Sequence, residues 1–408
     1  MTGVHTKRSA VITGLGPVSA LGVGIDPFVT ALREERCCIA PLERFADNPD
    51  EALLGVDRPD FDVDTFLKGR KTYLDPSSEL ALAAIALAIR DADLDEATLG
   101  RAGLCLGSAH GPTETMGLFI DDLVAKGPRF VKPILFPHTY LNTAVSLAAI
   151  EFDMHGPHLN LASGFTAAAQ AIAAGIDLVR DGRADVMVAG GFEALSEYLL
   201  WGYESAGLLS LCDEVASLGG PFGRERDGFV PAAAAGALVI EARDHARARG
   251  ARVYAELAGV GMSSTGANEA PAAGGLARAM RAALREGRVR PDGVSLVAAA
   301  ANGSIEGDHD EAAAIRSACA REQGSPPVTA FKARTGEAMG AGGALQLIAA
   351  GACLARQAAP VTLDPAGVDK SLGLHVDAAP APDTILVNTT DPGGAAVSIL
   401  LREENASA

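Results

Sequence analysis

Short apolar runs alternate with stretches of helical period along this chain. Ser9 to Gly16 predicts a buried strand, Ala10-Val11-Ile12-Thr13, that closes in a glycine-rich turn. Asp26 to Arg33 reads as a helix, and Leu104 to Ser108 as a second apolar strand. Thr143 to Phe152 reads as helix, Leu159 to Ala162 as strand, and Asp185 to Ala189 as a strand closed by Gly190-Gly191. Between the last two, Thr166 to Arg180 is an alanine-rich helix with apolar residues on nearly every face, the pattern of a helix buried all round.

A second series follows. Gly236 to Glu241 and Val253 to Val260 read as strands, Leu276 to Glu286 as a helix, and Ser295 to Ala300 as a buried strand. Glu311 to Arg321 and Ala338 to Ala355 read as helices, and Ile385 to Asn388 with Ala396 to Leu401 as a closing hairpin. Apolar strands alternating with helices predict an α/β fold with covered sheets. The pattern runs twice, with the changeover expected between Gly261 and Ala273, so the chain divides at residues 1–260 and 261–408. Pro-rich stretches at Ser325-Pro326-Pro327 and Ala379 to Pro382 read as loops. Gly14-Leu15-Gly16 lacks the third glycine and the later acidic residue of a dinucleotide loop, so it does not predict nucleotide binding.

Composition narrows the function classes. The 408 residues carry a net charge of -17, which opposes nucleic-acid binding because phosphate recognition needs clustered cations. Six cysteines, with no CxxC spacing, predict neither a zinc site nor a disulfide framework. Met1 to Arg8 holds no apolar signal core, and no apolar run reaches the length of a membrane span. The expectation is a reduced, cytoplasmic, soluble protein with no metal, no cofactor and no membrane partner.

Longer motifs carry a resemblance. Val11-Ile12-Thr13-Gly14-Leu15-Gly16, Gly127-Pro128-Arg129, Gly156-Pro157, Gly182-Arg183-Ala184-Asp185-Val186-Met187-Val188-Ala189-Gly190-Gly191, Pro221-Phe222, Arg226-Asp227-Gly228-Phe229, Tyr254-Ala255-Glu256-Leu257 and Gly261-Met262-Ser263-Ser264 stand in family order. The chain resembles the elongating β-ketoacyl-carrier-protein synthases (ketosynthases) of the thiolase superfamily. That resemblance implies two duplicated α/β halves in a five-layered α-β-α-β-α arrangement. It also implies a Cys-His-His set. The cysteine sits in a turn ahead of a buried helix, whose N-terminus favours the thiolate, and it takes the acyl chain from a carrier protein. The two histidines assist malonyl decarboxylation and stabilise the enolate.

At the matching positions all three residues differ. The nucleophile turn reads Ala162-Ser163-Gly164-Phe165-Thr166, which places Phe165 at the cysteine position. The first histidine motif reads Asn302-Gly303-Ser304-Ile305. The second runs from Lys332 to Gly343 with its glycines intact and Glu337 at the histidine position. The Gly-Phe-Gly-Gly gating loop of the family stands as Asp391-Pro392-Gly393-Gly394. Scaffold is kept and chemistry is gone: Phe165 reads as an apolar plug, and Glu337 as a negative charge that would oppose an enolate.

Within the family the chain resembles the chain-length-factor, or ketosynthase β, subunits of type II polyketide synthases, although most of those carry glutamine where Phe165 stands. The resemblance implies a heterodimer with an active ketosynthase α subunit, and acyl carrier protein docking chiefly on that α subunit. In related dimers a loop crosses into the other protomer's acyl pocket. The matching segment is Lys132 to Pro137, with Leu135 expected to point across. The helix after the Gly107–Gly111 loop is expected to line the tunnel through His110, Thr113, Met116, Phe119 and Ile120. Thr113, Met116 and Ile120 share one helical face. Lys68, Arg70 and Lys71 form a small basic cluster, and Arg70 and Lys71 match carrier contacts in related synthases. Two alternatives remain beside this reading. One is an enzyme with a non-standard site: a malonyl decarboxylase, which would need the two histidines whose positions Asn302 and Glu337 occupy, or an acyltransferase, which would use Ser163 and His110. The other is a homodimer that binds an acyl ligand. The plainer expectation for these two residues is that Ser163 satisfies the backbone of its turn and His110 is an ordinary loop histidine.

Overall fold

The computed structural model describes residues 8–45, 53–265, 273–321, 324–356, 360–361, 363–364, 366–376 and 381–404. Most of the expected 261–273 changeover, the Ala379 end of the second proline-rich stretch, and Met1 to Lys7 lie outside the described residues.

Ten strands build the body. They are β1 (Ala10–Ser19), β2 (Gly103–Ser108), β3 (His158–Ala162), β4 (Val186–Glu193) and β5 (Ala234–Ala242), then β6 (Ala255–Ser264), β7 (Leu296–Ala298), β8 (Val328–Thr329), β9 (Thr384–Thr390) and β10 (Ala395–Arg402). The first five lie in the order β1-β5-β4-β2-β3, and the second five in the order β6-β10-β9-β7-β8. Both read first, fifth, fourth, second, third. Pairing direction repeats as well: the first two neighbour pairs of each set are antiparallel and the last two parallel. The two sets join through a short antiparallel ladder in which Ala10, Val11 and Ile12 face Leu257, Glu256 and Ala255. The second repeat thus opens at Ala255, ahead of the expected changeover, and β6 runs across position 260.

Helices cover both sheets and fill the space between them. Helix α1 (Pro76–Asp91) packs on the outer face of β1, β5 and β4, and the helix α2 (Thr113–Lys126) follows the loop after β2. Helix α3 (Thr143–Glu151) lies against α1. The central layer is α4 (Ala167–Arg180) with, from the second repeat, α8 (Gly342–Leu354); between them in sequence come α5 (Glu197–Ser205), α6 (Ala273–Glu286) and α7 (Ile305–Ala318). Helix α8 touches α4 and strands of both repeats, and every one of its residues is buried. Small side chains allow that sandwiching: α4 reads AAAQAIAAGIDLVR and α8 GGALQLIAAGACL. Outside the second sheet, α6 packs on β6 and β10, and α7 packs on α6. The result is the expected α-β-α-β-α layering.

One expectation changes in β1. The strand does not end at Gly16 but continues to Ser19. Its two glycines serve helix contact rather than a turn. A Cβ on Gly16 would stand 2.0 Å from the Ala84 carbonyl oxygen, and one on Gly14 2.4 Å from that of Ala88. Only glycine lets α1 lie this close to the strand. Helix α1 starts where its sequence says it should. Asp75 caps the N-terminus by accepting the Ser78 N–H at 3.0 Å, and Pro76 takes the first turn. Among the described residues no helix is long and apolar enough to cross a membrane, and no group of three or more His, Cys, Asp or Glu side chains could hold a metal ion.

Candidate functional site

Strand β3 delivers the chain into a tight turn. Ser163 leaves the strand at φ −141° and Gly164 takes φ +62°, a left-handed value that glycine tolerates. One turn of 3₁₀ helix over Gly164–Thr166 then leads into α4. Phe165 is only 5% exposed. Its ring stands edge-on to Tyr203 at 5.9 Å and to Phe229 at 5.6 Å, and those two meet each other at 5.2 Å. The three rings fill the volume ahead of the buried helix and bring apolar contact energy with favourable quadrupole geometry. His110 closes the group: its Nε2 hydrogen-bonds the Tyr203 hydroxyl. Burial lowers the His110 pKa, with Asp391 pulling the other way, so a neutral ring is favoured. Burial likewise raises the Tyr203 pKa.

The free N–H at the head of this helix has a partner. Asp391, in the turn between β9 and β10, accepts the Phe165 N–H through Oδ2 at 2.8 Å. Its other oxygen accepts Gly393 N–H at 2.7 Å, while the Asp391 carbonyl accepts Gly394 N–H at 2.8 Å. A Cβ on Gly164 would come within 2.0 Å of Oδ2, so the glycine is what admits the carboxylate. A helix N-terminus favours an anion, and here the chain supplies its own.

The two other degenerate positions touch each other. Glu337, fully buried, accepts Asn302 Nδ2 at 3.0 Å and Lys332 Nζ at 2.6 Å through Oε2, and Met339 N–H at 2.8 Å through Oε1. Lys332 also donates to the Ala300 carbonyl at 2.8 Å. The negative charge expected at Glu337 is therefore compensated within the fold. The carboxylate is neutralised by a buried lysine and spent on three hydrogen bonds, the satisfied form of a buried ion pair.

Behind this network stand carboxylates the sequence did not single out. Asp308 accepts N–H groups of Phe222 at 2.7 Å, Asn302 at 3.0 Å and Gly303 at 3.2 Å, and burial lifts its pKa to about 6. Glu311 accepts Ala300 N–H at 2.9 Å and Asn388 Nδ2 at 3.0 Å, and burial lifts it to about 7. Glu193 holds the Ala109 N–H at 2.7 Å, and burial lifts it to about 8. Asp391 was legible as a residue but not as a partner, because its contact with Phe165 joins segments 226 residues apart, and the Lys332–Glu337 pair, five residues apart, depends on the turn between them.

The remaining predicted residues scatter. The Ser163 hydroxyl is buried and has no hydrogen-bond partner among the described residues, so it does not cap its turn as expected. Thr113 shares a 2.9 Å hydrogen bond with Ser196, Met116 is half-buried, and Ile120 is exposed. Phe119 packs on Phe136 with ring centroids 5.6 Å apart. Leu135, expected to point across to a partner, is 6% exposed within this chain, while Ile134 and Phe136 on either side are exposed. The basic cluster also shrinks. Lys71 Nζ pairs with buried Glu151, which also accepts the Lys68 backbone N–H, while the Lys68 and Arg70 side chains stay exposed, Arg70 with Asp64 3.7 Å away. An apolar surface runs from α2 through this loop, with Leu118, Val124, Phe130, Ile134, Phe136 and Tyr140 exposed. Strand β3 ends the sheet with one edge unpaired.

With the geometry in place, comparison with known proteins identifies its class. The model of the beta-ketoacyl synthase N-terminal domain matches residues 7–246, and that of the C-terminal domain matches residues 254–365. The chain belongs to the β-ketoacyl synthase family, with a thiolase-type fold. It is 32% identical to 3-oxoacyl-[acyl-carrier-protein] synthase 2 of Vibrio harveyi over 92% of each chain, and 29% identical to the synthase of the same name from Coxiella burnetii over 97% of this chain and 98% of that one. Among solved structures, the ishigamide ketosynthase/chain length factor superposes with a TM-score of 0.90 at 26% identity, over 98% of this chain and 100% of that one. An acyl-carrier protein complex of a type II polyketide ketosynthase matches in fold, with a TM-score of 0.85 at 24% identity, over 98% of this chain and 100% of that one.

Proposed function

We propose that this chain is a non-condensing ketosynthase-fold subunit, a chain length factor, that pairs with an active ketosynthase and shapes the acyl tunnel of a type II polyketide system. The observation that carries the reading is the state of the turn at Phe165. The position that would hold the nucleophile carries an aromatic ring, and the backbone N–H that would steady an oxyanion is bound by Asp391 at 2.8 Å. A carboxylate there competes with any developing negative charge. Asn302 and Glu337 are spent on each other and on Lys332, so neither is free to steady an enolate. The ishigamide neighbour supports the pairing, as do the open edge of β3 and the apolar surface beside it. In this reading the outward-facing residues Ile134 and Phe136, rather than Leu135, are the ones placed to cross to the partner. Met116 and Ile120 line the tunnel, and carrier docking rests on the α subunit.

One observation favours a second reading. The unpartnered Ser163 hydroxyl is the remaining candidate nucleophile for an acyltransferase. Against it, the base it would need, His110, is hydrogen-bonded to Tyr203 instead. Two measurements test the proposal. Intact-protein mass spectrometry of the isolated chain after incubation with acyl-carrier protein is expected to show no adduct; a stoichiometric adduct on Ser163 establishes the second reading. Co-expression with an intact Cys-His-His ketosynthase from the same genome is expected to yield a heterodimer whose products shorten with Met116→Trp. A chain that stays unpaired overturns the proposal.

A further inference from the structure

The far end of the first sheet holds a cavity that the condensing-site reading does not use. It encloses about 200 Å³ and is walled by Thr98, Arg101, Gly182, Arg183, Asp185 and His245 among others. It opens at the Val186 end of β4, whereas the candidate site lies at the Glu193 end of the same strand. Seven residue steps separate those ends, roughly 23 Å at strand rise. The two places are therefore separate.

The charges lining the cavity are unequal. Asp185 is bridged to Arg8 at 2.8 Å, so its charge is compensated. The His245 ring gives Nδ1 to Glu241 at 2.8 Å, which leaves Nε2 as its other hydrogen-bonding atom. Glu241 in turn is held by Arg249 at 2.5 Å. Asp95, close to Arg101, is engaged in capping the Thr98 N–H at 2.7 Å. Arg101 and Arg183 are exposed, and no ion pair joins either of them to a described residue. Two guanidiniums are thus left available around one concavity. Gly182, at φ +69°, adds open space: a Cβ there would meet nothing within 4 Å.

We propose that this cavity is a binding site for a phosphate group, held in forked hydrogen bonds by Arg101 and Arg183 and completed by His245. Planar guanidinium forks match phosphate oxygens two at a time, which a single ammonium cannot do. The site goes beyond the proposed subunit role and does not depend on it.

The test is calorimetric titration of the full chain with inorganic phosphate at low salt, with glycerol 3-phosphate in parallel. Saturable binding at one site per chain is expected. Arg101→Gln and Arg183→Gln should each weaken it by about tenfold or more, the loss of one charge-assisted contact. Arg70→Gln, at the other basic patch, should leave it unchanged. Equal affinities for the two ligands assign the free ion, and a tighter ester assigns a phosphomonoester. A measurement on the unaltered chain stands beside these: phosphate should protect Arg101 and Arg183 from phenylglyoxal, read by peptide mass mapping. No saturable binding, undiminished binding in the double variant, or modification of both arginines at the same rate with and without phosphate overturns the proposal.

Discussion

The two repeats place equivalent turns against each other and fill them with opposite chemistry. In each, the segment after the third strand ends in a single 3₁₀ turn that leads into a central helix, although the second repeat places the short helix Lys332–Thr335 between strand and turn. These turns are Gly164–Thr166 ahead of α4 and Met339–Ala341 ahead of α8, and they touch. Each carries a left-handed residue, Gly164 at φ +62° and Met339 at φ +44°. Each has a backbone N–H bound by a carboxylate, Phe165 by Asp391 and Met339 by Glu337, both at 2.8 Å. Yet the side chains differ: an aromatic trio surrounds the first turn, and a buried lysine–glutamate pair with Asn302 the second. The backbone requirement at a helix N-terminus is common to both. What occupies the space beyond it is open to either an apolar or an ionic solution, provided buried charges are paired.

Breaking the ionic turn should cost most. Lys332→Met leaves Glu337 buried and unpaired, with an expected loss of about 3–5 kcal/mol by urea unfolding. Lys332→Met with Glu337→Met should recover most of it, and equal midpoints for single and double variants would refute the ion-pair account. The apolar turn comes next. Phe165→Ala should lose about 3 kcal/mol, near the lower end for an aromatic truncation because the two neighbouring rings can partly close the gap. A midpoint unchanged by Phe165→Ala would show that the ring fills nothing.

The shared feature is tested by Asp391→Ala. It removes the carboxylate from the Phe165 N–H and should cost about 1 kcal/mol, the scale of a lost helix cap. Hydrogen exchange at the Phe165 amide should quicken while that at Met339 stays put. Quickening at both would mean the two turns open together.

A separate comparison concerns acid titration. Burial raises Glu193 to about 8, Glu311 to about 7 and Asp308 to about 6 in the folded chain. A raised carboxyl pKa means the folded state keeps protons that the unfolded state has released. Stability from these groups is therefore greatest near their unfolded values, about 4, and falls as pH rises towards 8. Denaturation midpoints between pH 5 and 8 should drift downward, and Glu193→Gln should flatten the upper part of that drift. A midpoint that rises over this window would show that the carboxylates are ionised when folded.

Much of the architecture was legible because burial writes itself into apolar runs. Helix α4 was expected from Thr166 to Arg180 and spans Ala167–Arg180. Boundaries slipped where local chemistry outweighs period. Helix α7 was expected from Glu311 to Arg321 but runs Ile305–Ala318, since its polar first turn hides Asp308 inside. Helix α1 was passed over, although Asp75-Pro76 is a start signal in its own right. At the site, the identities of Phe165, Asn302 and Glu337 were readable, but their bonding was not. Asp391 lies 226 residues from Phe165. Nothing in Asp391-Pro392-Gly393-Gly394 tells that its first side chain crosses to the other repeat. Leu135 shows the same limit at short range, where the direction of one side chain depends on the turn that carries it.

The outer strands of the two repeats lead to a point about supply. Strand β8 is two residues long, buried, and bridged at Pro327 by His375. Its counterpart β3 is five residues long, with His158, Leu159 and Ala162 exposed. An uncovered edge of that length is a template for any passing strand. Chain produced faster than this edge is covered should accumulate as aggregate. The edge thus ties the solubility of the isolated chain to its concentration, and expressing the chain by itself measures that dependence before it measures anything else.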